Sequence, residues 1–249
     1  MPLKVLPCTT LDYPRSFEVE RRAWAQAPFT KILFPGPFPE DMAELRAQEI
    51  AKQVEEDPTT RWLKVVDADL SDPDEGIAFA KWHVYTDQPA NIGRSRSFGE
   101  GCNIEACEFV FGGVSKSRDS IIGGKNFVCK SLLFCFLLVV CSSDLAILAT
   151  DPDHQRRGAA GLLVKWGVEE AKRYNLPLYV ESSEAGHELY KKYGFKDLEL
   201  HEIDMSRWGI AQPHRSWGMM IEPEAKAPLT VAAMDDSTVG ATTVATANA

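Results

Sequence analysis

An apolar strand that leads through a short polar turn directly into a long helix is the strongest constraint in this sequence. The strand is predicted at residues 145–150 and the helix at 157–174, where apolar side chains recur at helical spacing. The first N–H groups of a helix have no partners within it and carry partial positive charge, so such a junction binds anions. Gly158 permits close backbone approach to a ligand, and Arg156 and Arg157 add positive charge. The segment therefore predicts an α/β fold with an anion site at the start of this helix.

The remaining elements are predicted from periodicity and from turn residues. Further strands are predicted at residues 4–8, 61–67, 77–85, 178–182, 195–205 and 216–221, and further helices at 16–25, 39–56, 184–193 and near 114–122. Residues 1–224 are predicted to form one domain, because 45% hydrophobic content is enough for a sizeable core. Residues 225–249 are rich in Ala and Thr without amphipathic spacing, and this composition predicts a disordered tail.

Charge and cysteine usage argue against several classes of function. The chain has 27 basic and 36 acidic residues, and this net charge of -9 argues against an extended nucleic-acid surface, which needs clustered Lys and Arg. None of the six cysteines forms a CxxC pair or lies near a histidine at zinc-ligand spacing, so no metal site is predicted. The first twenty residues do not have the pattern of a secretory signal, and the expected location is the cytoplasm.

The turn before the long helix resembles the coenzyme A signature Q/R-x-x-G-x-G/A of the GNAT N-acetyltransferases. The matching residues are Gln155, Arg156, Arg157, Gly158, Ala159 and Ala160. The resemblance extends over residues 145–200, and the chain as a whole is similar to fungal members of that family. It implies acetyl-CoA as co-substrate, bound at its pyrophosphate by these residues. It also implies a mixed, mostly antiparallel sheet of six or seven strands flanked by helices and splayed between the strands at 145–150 and 178–182.

A second motif at residues 183–195 supplies a candidate general acid. Tyr190 lies four residues before Gly194, where the family has the tyrosine that protonates the departing thiolate. A phenol with an ordinary pKa of about 10 stays protonated near neutral pH and can donate to a sulfur whose pKa is about 8.5. Tyr193 is the less suitable donor. The alternative for Tyr190 is a core tyrosine whose hydroxyl is already satisfied.

The resemblance further implies an oxyanion donor and a base. A backbone N–H among Leu148, Ala149 and Thr150 is the implied oxyanion donor, in line with preorganised donors in other enzymes. His83 and Glu181 are candidate bases for the acceptor amine, and a packed or exposed polar residue is the alternative for each.

The segment at residues 129–143 is far more apolar than its surroundings. An additional strand, a membrane-seeking segment and an insertion such as a translated intron are the three interpretations, and the insertion is favoured. Its uninterrupted apolar run at 132–140 is much shorter than the about 20 residues that span a bilayer. No stable membrane insertion is therefore expected.

The function implied by the resemblance is transfer of an acetyl group from acetyl-CoA to a primary amine, with a small molecule as the expected acceptor. An acyl-CoA-binding protein without catalysis and a protein N-acetyltransferase are the alternatives.

Overall fold

The computed structural model describes residues 3–25, 27–86, 98–124 and 143–223. The strands are β1 (Leu3–Pro7), β2 (Thr60–Asp67), β3 (Gly76–Val84), β4 (Ser143–Thr150), β5 (Leu178–Ser183), β6 (Lys196–Ile203) and β7 (His214–Ile221). The helices are α1 (Tyr13–Trp24), α2 (Thr30–Leu33), α3 (Met42–Glu56), α4 (Ile104–Gly124), α5 (Ala159–Tyr174) and α6 (Glu184–Lys192). Single 3-10 turns lie at Thr10–Asp12, Pro152–His154 and Ser206–Trp208.

The seven strands form one sheet in the order β1-β2-β3-β4-β5-β7-β6. Every neighbouring pair is antiparallel except β4 and β5, which are parallel. The expected mixed, mostly antiparallel α/β sheet of six or seven strands is thereby confirmed.

Helices cover both faces of this sheet. On one face, Leu163 and Val168 of α5 and Tyr190 of α6 form one core with Trp82 of β3 and Val180 of β5. On the other face, α1 and α3 bury Val19 and Ile50 against β2 and β3, and α4 packs on β5. We call these the α5 face and the α1 face. Because side chains alternate along a strand, successive residues of the central strands contribute to the two cores in turn.

β4 and β5 separate after only three paired positions. The paired residues end with Leu145 and Val180, although both strands continue beyond them. A bulge lies at the same point, because Lys81 pairs with Ile147 and Trp82 with Leu145, so Ala146 has no residue opposite it. A bulge of this kind bends its strand and increases the local twist. The sheet therefore opens between β4 and β5, which confirms the expected splay; we call this opening the β4–β5 gap.

Several elements differ from the predictions, and three of the differences have a clear physical reason. α4 is more than twice as long as the helix predicted near 114–122. Its glycines have low helix propensity, so the sequence underestimates the helix, whereas tertiary packing of its apolar side chains stabilises the full length. α2 has only four residues, too few to give a periodic pattern. α5 begins at Ala159 instead of residue 157, because Arg156 and Gly158 have left-handed φ values of 62° and 93°.

The apolar segment and the tail lie largely outside the described residues. Ser143, the last residue of the segment predicted as an insertion, is the first residue of β4 and pairs with Leu178. Residues 129–142 and 225–249 are not described, so the insertion, the tail and the single domain at 1–224 stay predictions. Within the described ranges, no helix is both long and apolar enough to cross a bilayer.

The contact between Gly167 of α5 and Trp82 allows a test of this packing. A Cβ at position 167 would overlap Cζ2 of the fully buried Trp82 ring. We expect Gly167→Ala to lower the free energy of unfolding by about 1–3 kcal/mol, as overpacking does. Urea unfolding measures this change.

Gly113→Ala is the matched control, since nothing lies within 4 Å of a Cβ at that exposed position in α4. It should raise stability by roughly 0.5–1 kcal/mol, because alanine favours a helix over glycine. Equal effects of the two substitutions would contradict the described packing of α5.

Candidate functional site

The turn between β4 and α5 exposes unbonded backbone N–H groups at the end of the β4–β5 gap. The first helical hydrogen bond of α5 runs from Leu162 N to Gly158 O at 3.1 Å. The backbone N–H groups of the residues just before Leu162 are therefore left for a ligand. Gly158 is the N-cap with φ of 93°, a conformation that other residues rarely adopt. Ala159 is buried and Ala160 is half-buried, so the first turn of α5 is slim. This arrangement suits a phosphate group.

The side chains predicted to surround this turn have different partners. Gln155 and Arg156 are exposed, and the Gln155 amide donates to Thr150 O at 3.4 Å. The Arg157 guanidinium donates to Asp67 Oδ2 at the end of β2, and it lies 2.8 Å from His154 Nδ1. Arg157 therefore ties the turn to β2, and Arg156 is the arginine with its side chain at the surface of the turn.

Asp67 is a fully buried carboxylate at this contact. The backbone N–H of Asp69 donates to Oδ1 at 3.1 Å, and Arg157 donates to Oδ2. The Asp69 N–H and the Arg157 guanidinium together hold the pKa of Asp67 below its ordinary value. The carboxylate is thus kept ionised where it anchors Arg157.

A second buried carboxylate holds the opposite end of the turn. Asp151 is fully buried, and its Oδ2 accepts from Arg15 at 2.7 Å and from Arg22 at 2.6 Å. Arg22 also donates to the exposed Asp153 at 2.7 Å. The sequence predictions missed this network. The available signal was the spacing of seven residues between Arg15 and Arg22, which puts both on one face of a helix.

Tyr190 and Tyr193 of the second motif lie on the α5 face. The Tyr190 ring is buried against Phe195 with centroids 5.6 Å apart, and burial raises the pKa of its hydroxyl. Tyr193 is half-buried, and its hydroxyl lies 2.7 Å from the position that a Cβ of Gly161 would take. Tyr193 therefore borders the first turn of α5. The assignment of Tyr190 as general acid stays a prediction.

Hydrogen bonding between β3 and β4 narrows the predicted oxyanion donors. Asp151 N donates to Ile77 O of the neighbouring strand at 2.9 Å, and N–H direction alternates along a strand. The N–H of Ala149 therefore points toward β3, whereas those of Leu148 and Thr150 point toward the β4–β5 gap. Two of the three predicted residues can donate into the gap.

The two candidate bases have different surroundings on the α1 face. His83 is buried, and its Nδ1 lies 3.3 Å from Thr59 Oγ1 and 3.3 Å from Asp57 Oδ2. These contacts are those of a packed polar residue. Glu181 follows Val180, the last residue of β5 that pairs with β4, and is half-buried beside the β4–β5 gap. Both assignments stay predictions, and Glu181 has the more suitable position.

No group of three or more His, Cys, Asp or Glu side chains with metal-binding geometry occurs in the part of the chain that the structure describes.

Comparison with known proteins finds a family match for part of the chain. Residues 120–197 match the family model of the acetyltransferase (GNAT) domain. The matched segment is similar to the GNAT acetyltransferases. A stretch of 44 residues is 39% identical to the probable acyltransferase SID5 of Ajellomyces capsulatus and covers 18% of this chain. The match spans about a third of that curated relative, 32% of its length.

Solved structures show the GNAT fold over most of the chain. A histone acetyltransferase HPA2 and related acetyltransferase from Corynebacterium glutamicum is 21% identical with a TM-score of 0.53, covering 91% of this chain and 99% of that one. The protein yncA from Salmonella typhimurium, solved with its cofactor acetyl-CoA, is 11% identical with a TM-score of 0.52. That alignment covers 90% of this chain and 96% of yncA. These likenesses confirm the expected GNAT fold.

The contribution of Asp67 to stability should depend on pH. Its pKa is lowered in the folded state, so its stabilising effect is present above the unfolded pKa of about 3.9 and is lost as pH falls through the folded pKa. We expect Asp67→Asn to lower the urea midpoint at about pH 7, and the difference from wild type to shrink at about pH 3.

Asp69→Asn removes the same charge from an exposed neighbour in the same loop and should leave the midpoint unchanged. A difference between wild type and Asp67→Asn that stays constant with pH would contradict the ionised state of Asp67.

Proposed function

We propose that the protein transfers an acetyl group from acetyl-CoA to the primary amine of a small molecule. The observation that carries this proposal is the junction of the glycine-capped N-terminus of α5 with the β4–β5 gap. The N–H groups at positions 158–160 would bind the pyrophosphate, with Arg156 at the surface beside it. The arm that carries the thioester would enter the gap, where the two strands leave backbone groups unpaired.

The chemistry follows from groups around the gap. The neutral amine attacks the thioester carbonyl, forming the new C–N bond and an oxyanion. The N–H of Leu148 or Thr150 donates to that oxygen, as preorganised donors do in other acyl transfers. The C–S bond then breaks, and the thiolate takes a proton from Tyr190. Because burial raises the pKa of Tyr190, its phenol stays protonated throughout the neutral range.

Glu181 is the proposed acceptor of the proton that the amine loses. It lies on the α1 face, which is opposite to Tyr190, so acid and base would approach the reacting carbon from two sides of the sheet. His83 is the weaker candidate, because Thr59 and Asp57 already surround its Nδ1. The buried Asp144 lies opposite Tyr179 in the sheet, two residues before Glu181, and the positive charge of the half-buried Arg118 acts on both carboxyl groups.

The proposed compartment is the cytoplasm, since the cysteines of the described part of the chain, Cys8, Cys102 and Cys107, are free thiols.

Calorimetric titration of acetyl-CoA into the protein tests the coenzyme site. Ala160→Glu puts a carboxylate in the first turn of α5. The helix dipole stabilises a negative charge at this position, but the carboxylate repels the pyrophosphate. We expect binding by wild type and its loss in this variant without loss of thermal stability. Lys165→Gln makes the same change in net charge further along α5 and should bind normally.

The outcome also separates the proposal from its alternatives. A folded wild type that does not bind acetyl-CoA contradicts the proposal. Binding without turnover in a broad amine screen indicates an acyl-CoA-binding protein, and turnover with peptides alone indicates a protein N-acetyltransferase.

Substitution of the proposed general acid should affect turnover more than binding. Tyr190→Phe removes only the hydroxyl, so we expect kcat to fall by about 10²-fold or more while the Kd for acetyl-CoA changes little. Steady-state kinetics and calorimetry measure the two quantities. Tyr193→Phe is the control, because it removes the hydroxyl of the tyrosine that follows α6. A fall in kcat in this variant alone would reassign the donor.

A further inference from the structure

The buried ion-pair network around Asp151 connects α1 to the turn that precedes α5. We propose that Asp151 is a positioning residue, which fixes the coenzyme-binding turn through Arg15 and Arg22 of α1. This inference rests on the proposed function. It assigns a role in coenzyme binding to three residues that lie outside the motif at positions 155–160.

All the polar groups of Asp151 are engaged. Its N–H donates to Ile77 O at 2.9 Å, and its carbonyl accepts from His154 N at 2.8 Å. Its Oδ1 accepts from Asp153 N at 3.0 Å, and Oδ2 accepts from both arginines. The residue therefore joins β3, the 3-10 turn and α1 at one point, immediately after the end of β4.

The network requires a carboxylate at position 151. Two guanidinium groups converge on a single oxygen, and hydrogen bonds between ionised groups are about twice as strong as neutral ones. An asparagine of the same size would present a neutral oxygen to two cations, or its NH2 group would face them. Arg15 also contacts Glu18 at 2.9 Å and Glu75 at 3.0 Å, so its guanidinium is fixed in place.

The turn is thereby held at both ends. Asp151 anchors its beginning to α1, and the pair of Arg157 and Asp67 anchors its end to β2. Arg156 lies between these anchors and Gly158 directly follows the second one. The left-handed backbone of these two residues directs the N–H groups of the anion site. A loop that is already ordered loses less conformational entropy when it binds, so fixing the turn should raise affinity for the pyrophosphate.

Binding measurements with acetyl-CoA and with a fragment of it distinguish positioning of the turn from a general effect on protein stability. Acetyl-CoA contains the pyrophosphate, whereas S-acetylpantetheine has the same thioester arm without it. Calorimetry, direct or by displacement, gives Kd for each ligand with wild type, Asp151→Asn and Asp153→Asn. Asp153→Asn is the matched control. Asp153 has the same charge as Asp151 and also forms an ion pair with Arg22, but its side chain is 72% exposed.

We expect Asp151→Asn to weaken acetyl-CoA binding about tenfold or more, which corresponds to about 1.4 kcal/mol, and to change S-acetylpantetheine binding less than about twofold. Asp153→Asn should change both less than about twofold. Equal losses for the two ligands in Asp151→Asn, or no loss for acetyl-CoA, overturn the inference.

If Asp151→Asn does not fold, Arg22→Ala decides, because it leaves the pair of Arg15 and Asp151 in place. A loss of about threefold or more for acetyl-CoA alone, recovered in part by Arg22→Lys, supports the inference, and unchanged binding overturns it. A folded wild type that does not bind acetyl-CoA overturns the proposed function, and the inference with it.

Discussion

The early end of the pairing between β4 and β5 is the constraint on which the candidate site depends. A parallel pair in the middle of a seven-stranded sheet would normally satisfy the backbone groups of both strands. Here the pairing ends at Leu145 and Val180, and the bulge at Ala146 turns β4 away from its neighbour. The N–H groups of Leu148 and Thr150 are left for a ligand, and the opening leads from one helical layer to the other. A site at the centre of the sheet is the result.

Buried charge then determines the shape of the turn at the end of this opening. A fully buried carboxylate is costly unless hydrogen bonds and opposite charges compensate it. Asp67 and Asp151 both meet this condition, and in each case the compensating arginine belongs to a different element. The strained backbone of Arg156 and Gly158 is thus held by groups on β2 and α1. Catalytic and binding loops commonly store such strain where the surrounding structure fixes them.

Much of this fold could be predicted from the sequence because its periodic patterns are strong. The element type is predicted correctly for the helix at 157–174, for the central strands and for the glycine turn. The splay of the sheet is predicted from the family resemblance. The sequence did not predict the full length of α4, because its glycines conceal part of its helical character. It also did not predict the contact of Arg157 with Asp67, which joins residues 90 positions apart. Local patterns contain no information about such pairs. The same limit applied to Asp151, which looked like an ordinary turn residue.

Gly161 and Tyr193 show how closely the two halves of the site are packed. The hydroxyl of Tyr193 in the segment after α6 occupies the space that a side chain at position 161 of α5 would need. The helix proposed to bind the coenzyme and the helix with the proposed acid are therefore sterically linked at this point. Neither position can change freely during evolution. In related sequences a larger residue at 161 should occur together with a smaller residue at 193.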